Sequence, residues 1–103
     1  MSSTRMTTIL GCLADDYLDL GDLQRSQNIY EDQLILSREL GDQCREAYAL
    51  FHIGLVAHRF NDHAQSILLA EAALNILVRI ESSDAKEVRE TITEWQARIM
   101  RAK

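Results

Sequence analysis

The sequence predicts an all-α protein, a stack of antiparallel helix hairpins, and three observations lead there. Proline is absent from all 103 residues. Because proline breaks helix interiors, a chain without it and rich in Leu, Ala, Glu, Gln and Arg can be helical almost throughout. The same apolar grammar is also written twice, forty residues apart. Leu10, Asp22, Ser26, Glu31 and Leu34 recur as Leu50, Asp62, Ser66, Glu71 and Leu74, and apolar character is kept at Leu13/Ile53, Leu20/Phe60, Ile29/Leu69, Leu36/Ile76 and Leu40/Ile80. Self-similarity at a period of about 20 to 50 residues is the signature of a stacked-repeat protein. Finally, the turn signals Gly21-Asp22, Gly41-Asp42 and Asn61-Asp62 leave room only for short connectors, which force sequential helices to pack antiparallel.

Five helices are expected. The first runs from about Thr4 to Leu20 and ends at Gly21, which tolerates the left-handed conformation that closes a helix. Asp22 caps the second, which runs to about Leu40 with Leu23, Tyr30, Leu34 and Leu40 inward. Gly41 and Asp42 repeat the same stop and start, since aspartate accepts from the free N–H groups of the next first turn. The third helix covers about Cys44 to Phe60 and is apolar nearly all the way round, as the middle of a five-helix stack requires. Asn61 and Asp62, with Gln65 three residues on, form a capping-box variant that opens the fourth helix, which continues to about Ile80. After a turn at residues 81–84, Asp84 and Glu87 read as another box opening the fifth helix, whose Val88, Ile92, Trp95 and Ile99 share one stripe. The chain is therefore divided as one domain: a first unit at about 4–41, a second at about 43–81 and a capping helix at about 85–102.

Composition narrows the function. A net charge of -5 argues against a general phosphate-binding or anionic-membrane role and favours neutral or basic partners. No run of about 18 apolar residues exists, and the Ser- and Thr-rich N-terminus lacks the apolar core of a secretory signal, so no membrane partner and a cytoplasmic location are expected. In that compartment Cys12 and Cys44 are expected as reduced thiols. Catalytic motifs are missing: there is no glycine-rich phosphate loop, no G-x-S-x-G elbow and no H-E-x-x-H. His52, His58 and His63 are candidate metal ligands by type, but His58 and Asp62 straddle a helix end and share no assured face, so neither a metal nor another cofactor is expected. The run Asp15, Asp16, Asp19 and Asp22 lacks the spacing of a calcium loop and reads as a solvated outer helix face. Arg98, Arg101 and Lys103 complement the dipole of the last helix, and no nucleic acid is expected.

These residues resemble the tetratricopeptide repeat, in which a helix pair carries a large apolar residue, a Leu-Gly pair, an aromatic, a Gly-Asp turn and then small residues. Leu10, Leu13, Ala14, Tyr17, Gly21, Asp22, Ser26, Tyr30 and Leu34 stand at those places in the first unit. In the second they are Leu50, Ile53, Gly54, Ala57, Asn61, Asp62, Ser66, Ala70, Ala73 and Leu74. The resemblance implies a right-handed superhelical stack, with Ala14, Gly54, Ser26 and Ser66 at the close helix crossings. The departures are a 40-residue unit in place of about 34, no closing proline, Gln33 where a small residue is usual, and Ala57 where an aromatic is. Units of this length are similar to those of spindle-orientation adaptors, receptor-clustering scaffolds and the sensor regions of some bacterial regulators.

The resemblance further implies a concave groove lined by the second stripe of each unit's first helix. In the third helix that stripe is Tyr48, Phe51, Leu55, His58 and Arg59, and in the first it includes Asp15, Leu18 and Asp19. Phe51 and Leu55 are the expected anchors, with burial in the core as the equal alternative. Gly11 and Asp15 stand where the chaperone-tail type of this family keeps carboxylate-clamping residues, so a C-terminal carboxylate is not the implied ligand. The expected function is a non-catalytic adaptor binding a protein or peptide with apolar and basic residues. The alternatives are a homodimer through Val88, Ile92, Trp95 and Ile99, because two units and a helix fall short of the about three that stacked repeats need, or a sensor domain of a larger regulator.

Overall fold

The computed structural model describes residues 2–102, and among them the five helices are α1 (Ser2–Asp19), α2 (Leu23–Leu40), α3 (Gln43–Arg59), α4 (His63–Arg79) and α5 (Ala85–Ala102). Each packs against its chain neighbours, and α1 also touches α3. The result is two layers, with α1, α3 and α5 in one and α2 and α4 in the other. The slab measures 48 × 32 × 17 Å, its thin dimension that of two layers of helices.

Small residues permit that closeness. Ser26 Oγ donates to the Ala14 carbonyl at 3.0 Å, tying α1 to α2 through a buried side chain. A Cβ on Gly54 would lie 3.1 Å from the Ser66 carbonyl oxygen, so α3 crosses α4 at a distance only glycine allows comfortably. The core falls into two clusters. One joins Ala14 and Tyr30 to Ile53 and Val56, and the other joins Ala47 and Leu50 to Ala70, Ala73, Ile76 and Leu77 and then to Val88, Ile92 and Trp95.

All four turns have one geometry at a spacing of twenty residues. Gly21, Gly41, Asn61 and Glu81 take φ of 84°, 69°, 66° and 56°. At each, that residue's N–H donates three residues back and the next N–H donates five residues back, as in Asn61 to His58 and Asp62 to Ala57. This is the Schellman closure. Asp22, Asp42 and Asp62 then accept from the N–H of Arg25, Arg45 and Gln65 at 3.2, 3.1 and 3.3 Å, as expected.

The last turn departs from expectation. Asp84 does not cap α5 with its side chain; instead Ser82 closes the turn, its Oγ accepting from Asp84 N–H and its carbonyl from Ala85 N–H. Leu40, expected inward, is exposed because it lies in the final turn of α2. Leu13 is exposed although its counterpart Ile53 is buried, since among the described residues no helix packs on that side of α1, whereas Leu20 and its counterpart Phe60 are both exposed.

Candidate functional site

The inner layer brings α1, α3 and α5 side by side, and a groove runs across it with α3 at its centre. Between α3 and α5 the groove holds about 390 Å³. Its base is Phe51, Leu55, Leu77 and Val88, and its rim carries Arg45, Asp84 and Glu87. Between α1 and α3 it narrows to a 110 Å³ recess bordered by Thr8, Gly11, Cys12 and Gln33, with Arg45 and Tyr48 facing both spaces. Arg45 Nη2 donates to Thr8 Oγ1 at 3.3 Å across this recess. Cys12 and Cys44 are exposed free thiols.

Asp15 links three helices, which corrects its reading as a solvated outer residue. Its Oδ1 accepts from the hydroxyl of Tyr30 on α2, and its Oδ2 accepts from the hydroxyl of Tyr48 on α3 at 2.5 Å. His52 stacks on Tyr48 with ring centroids 4.0 Å apart. Its Nδ1 lies 2.9 Å from the Tyr48 carbonyl, to which it donates, leaving Nε2 facing Asp15 at 4.0 Å. Burial, reinforced by the carboxylate of Asp15, pushes both tyrosine hydroxyls far above their ordinary range. At neutral pH they are therefore fixed donors that hold the α1–α3 spacing. No counterpart of this cluster exists in the second unit, where Leu55 and Ala70 stand at the places of Asp15 and Tyr30. The repeat could not reveal it.

The expected groove residues separate into two groups. Tyr48, Phe51 and Leu55 line the groove together, with Asp15 at its α1 side. Phe51 and Leu55 are also partly buried against the main core cluster, and Phe51 stacks on Trp95 at 6.4 Å. Groove and core are thus the same residues seen from two sides. Leu18 packs beneath, against the cluster of Ala14, Tyr30, Ile53 and Val56, and Asp19 is exposed at the end of α1.

His58 and Arg59 lie away from the groove. His58 stacks flat on Trp95 at 4.7 Å and meets His63 edge-on at 5.3 Å. Its Nδ1 is buried without a partner. Burial first, then the nearby charges of His63 and Arg98, lower its pKa against the opposing pull of Glu94. Arg59 is exposed in the last turn of α3.

Val88, Ile92 and Trp95, considered for self-association, are buried in the chain's own core, and Ile99 is half-buried beyond them. The fifth helix closes on its own stack. Among the described residues no group of three or more His, Cys, Asp or Glu is arranged to hold a metal ion, and no helix is long and apolar enough to cross a membrane.

Residues 5–77 match the family model of the tetratricopeptide repeat. No curated protein matches the chain.

Proposed function

The chain belongs to the tetratricopeptide repeat family, whose repeats mediate protein–protein interactions, and from that premise we propose that it is a non-catalytic adaptor that holds an extended segment of a partner protein in the groove between α3 and α5. The observation that carries this reading is the groove's division of labour. Its base is apolar, from Phe51, Leu55, Leu77 and Val88, and its α5 rim bears two exposed carboxylates, Asp84 and Glu87, that form no ion pair among the described residues. An aliphatic or aromatic side chain entering between Leu55 and Val88 would bury apolar area, while a neighbouring Lys or Arg would meet the rim. The partner's chemistry is therefore an apolar residue flanked by a cation. The groove is the place for it, and a cytoplasmic location suits its free thiols.

The test is selection from a displayed library of random peptides. Enriched peptides should share an apolar residue beside Lys or Arg, and the double variant Asp84→Lys/Glu87→Lys should weaken them roughly tenfold. Both positions are exposed, so helicity should be unchanged. Enrichment of acidic peptides, or affinity indifferent to the double variant, would refute this reading.

A further inference from the structure

The most conspicuous uncovered surface lies on the outer face of α1, where the stack begins. Met6, Ile9, Leu13 and Leu20 are 48%, 58%, 42% and 79% exposed, and they follow one another at steps of three, four and seven residues. That spacing puts them on a single seam of the helix. The core-facing side of the same helix is the opposite one, carrying Thr7, Gly11 and Ala14.

The internal repeat shows what this seam is made for. Forty residues on, Ala49 and Ile53 take the places of Ile9 and Leu13, and both are buried where α3 packs back on the preceding hairpin. α5 begins two residues late in this register, so Trp95 takes the place of Ile53 and is buried, with Val88 and Ile92 beside it, against α4. The inner-layer helices therefore share one docking face, used twice within the chain and left open on α1. The opposite end of the stack is finished differently, because the outward side of α5 presents Lys86, Arg89, Thr93 and Gln96 to solvent. Apart from Met100 near the end of α5, that end of the stack is polar, whereas the α1 end is apolar.

We propose that α1 pairs with α1 of a second copy of this chain, antiparallel about a two-fold axis. The argument for a second copy is charge. Arg5 and Asp16 are exposed along one flank of the seam, eleven residues apart, and neither forms an ion pair among the described residues. In the antiparallel register that lays Ile9 of one copy on Leu13 of the other, Arg5 comes within one helical turn of Asp16 of the second copy. The symmetry makes that pair twice. A parallel pairing would put the Arg5 and Asp16 flanks of the two copies on opposite sides of the seam, so neither pair would form. The seam is thus self-complementary in one direction only. This surface is on the end of the stack and leaves the groove free, so the dimer would present two grooves and bind a divalent partner with avidity.

Sedimentation equilibrium of the 103-residue chain, from about 5 to 500 μM, tests this, since one seam of this size suits micromolar association. The expected mass is twice 11.8 kDa at the upper concentrations. Leu13→Glu should weaken association roughly hundredfold with unchanged circular dichroism, because in the free chain Leu13 is already solvent-facing. Arg5→Glu should weaken it as well, and Arg5→Glu combined with Asp16→Arg should restore it. A monomer at every concentration would overturn the proposal and leave the seam to a helix of a different protein. Dimers indifferent to Leu13→Glu, or charge variants that fail to rescue one another, would overturn it equally.

Discussion

Gly11 and Gln33 form an exchange of sizes whose energetics can be predicted in sign. A Cβ added at Gly11 would lie 2.7 Å from Gln33 Nε2 and 3.3 Å from Tyr48 Cε1. The Gln33 amide is not free to yield, since it is 1% exposed and its Nε2 donates to the Thr7 carbonyl at 2.8 Å. Replacing glycine by alanine inside a helix ordinarily gains about 1 kcal/mol. Here the methyl must displace the amide, losing a hydrogen bond worth about 1 kcal/mol and overpacking the crossing by about 1–3 kcal/mol. Gly11→Ala should therefore destabilise by about 2 kcal/mol net, a fall in Tm of roughly 8–16 °C for a domain of this size.

In a Gln33→Ala background the obstruction is gone, and Gly11→Ala should become neutral or stabilising by up to about 1 kcal/mol. The coupling from a double-mutant cycle, measured by urea unfolding, should thus be about 2–3 kcal/mol, far beyond the few tenths seen for independent sites. Gly11→Ala that stabilises the parent chain, or a coupling below about 0.5 kcal/mol, would refute the reasoning.

Further outcomes follow from the turns and the buried titratable groups. Asp15→Ala strands the buried Tyr30 hydroxyl and should cost about 2–3 kcal/mol, shrinking to under about 1 kcal/mol in a Tyr30→Phe/Tyr48→Phe chain. Because the folded pKa of Tyr30 and Tyr48 lies above the unfolded value, the stability they contribute is complete below pH about 10 and is lost as pH rises beyond it, so alkaline unfolding should be blunted in that same double variant. His58 has the opposite sense: its lowered pKa makes stability fall as pH drops through about 6.5, and His58→Gln should flatten that slope in acid titrations followed by circular dichroism. Glu81→Gly should stabilise by about 0.5 kcal/mol, the left-handed penalty of about 1–2 kcal/mol outweighing the unfolded-state entropy of glycine, whereas Gly41→Ala, whose Cβ would meet nothing within 4 Å, should cost about 1 kcal/mol from φ alone.

The helices were readable because helix ends are local chemistry. Asp22, Asp42 and Asp62 announce their caps by type, and Gly21, Gly41 and Asn61 announce the left-handed residues that precede them. Glu81 was not readable, since nothing in a glutamate signals positive φ. Burial was legible only as far as the repeat is symmetric. Leu13 and Ile53 carry the same pattern but differ in exposure because, among the described residues, only Ile53 has a preceding hairpin packed against it, and position in a stack is not a property of the local sequence. The polar cluster failed for a different reason. Asp15, Tyr30, Tyr48 and His52 come from three helices, so their meeting depends on the register between hairpins, which no spacing along the chain encodes. The groove residues were legible in part: periodicity placed Tyr48, Phe51 and Leu55 on one stripe, but extending that stripe to His58 ignored the reach of Trp95 from α5.

The two units also show how one backbone carries two surfaces. Where the first unit pairs Gly11 with Gln33, the second has Phe51 and Ala73, large and small residues exchanged across the same helix crossing. The turn at every twentieth residue nevertheless stays the same. What changes is which helix supplies the bulk. With Gln33 reaching in from α2, the inner face at Gly11 is cut back into a recess; with Phe51 rising from α3, the inner face gains an aromatic that helps floor the larger groove. The hairpin thus accepts the bulky side chain from either of its helices, and the groove's relief is free to differ between units that fold alike.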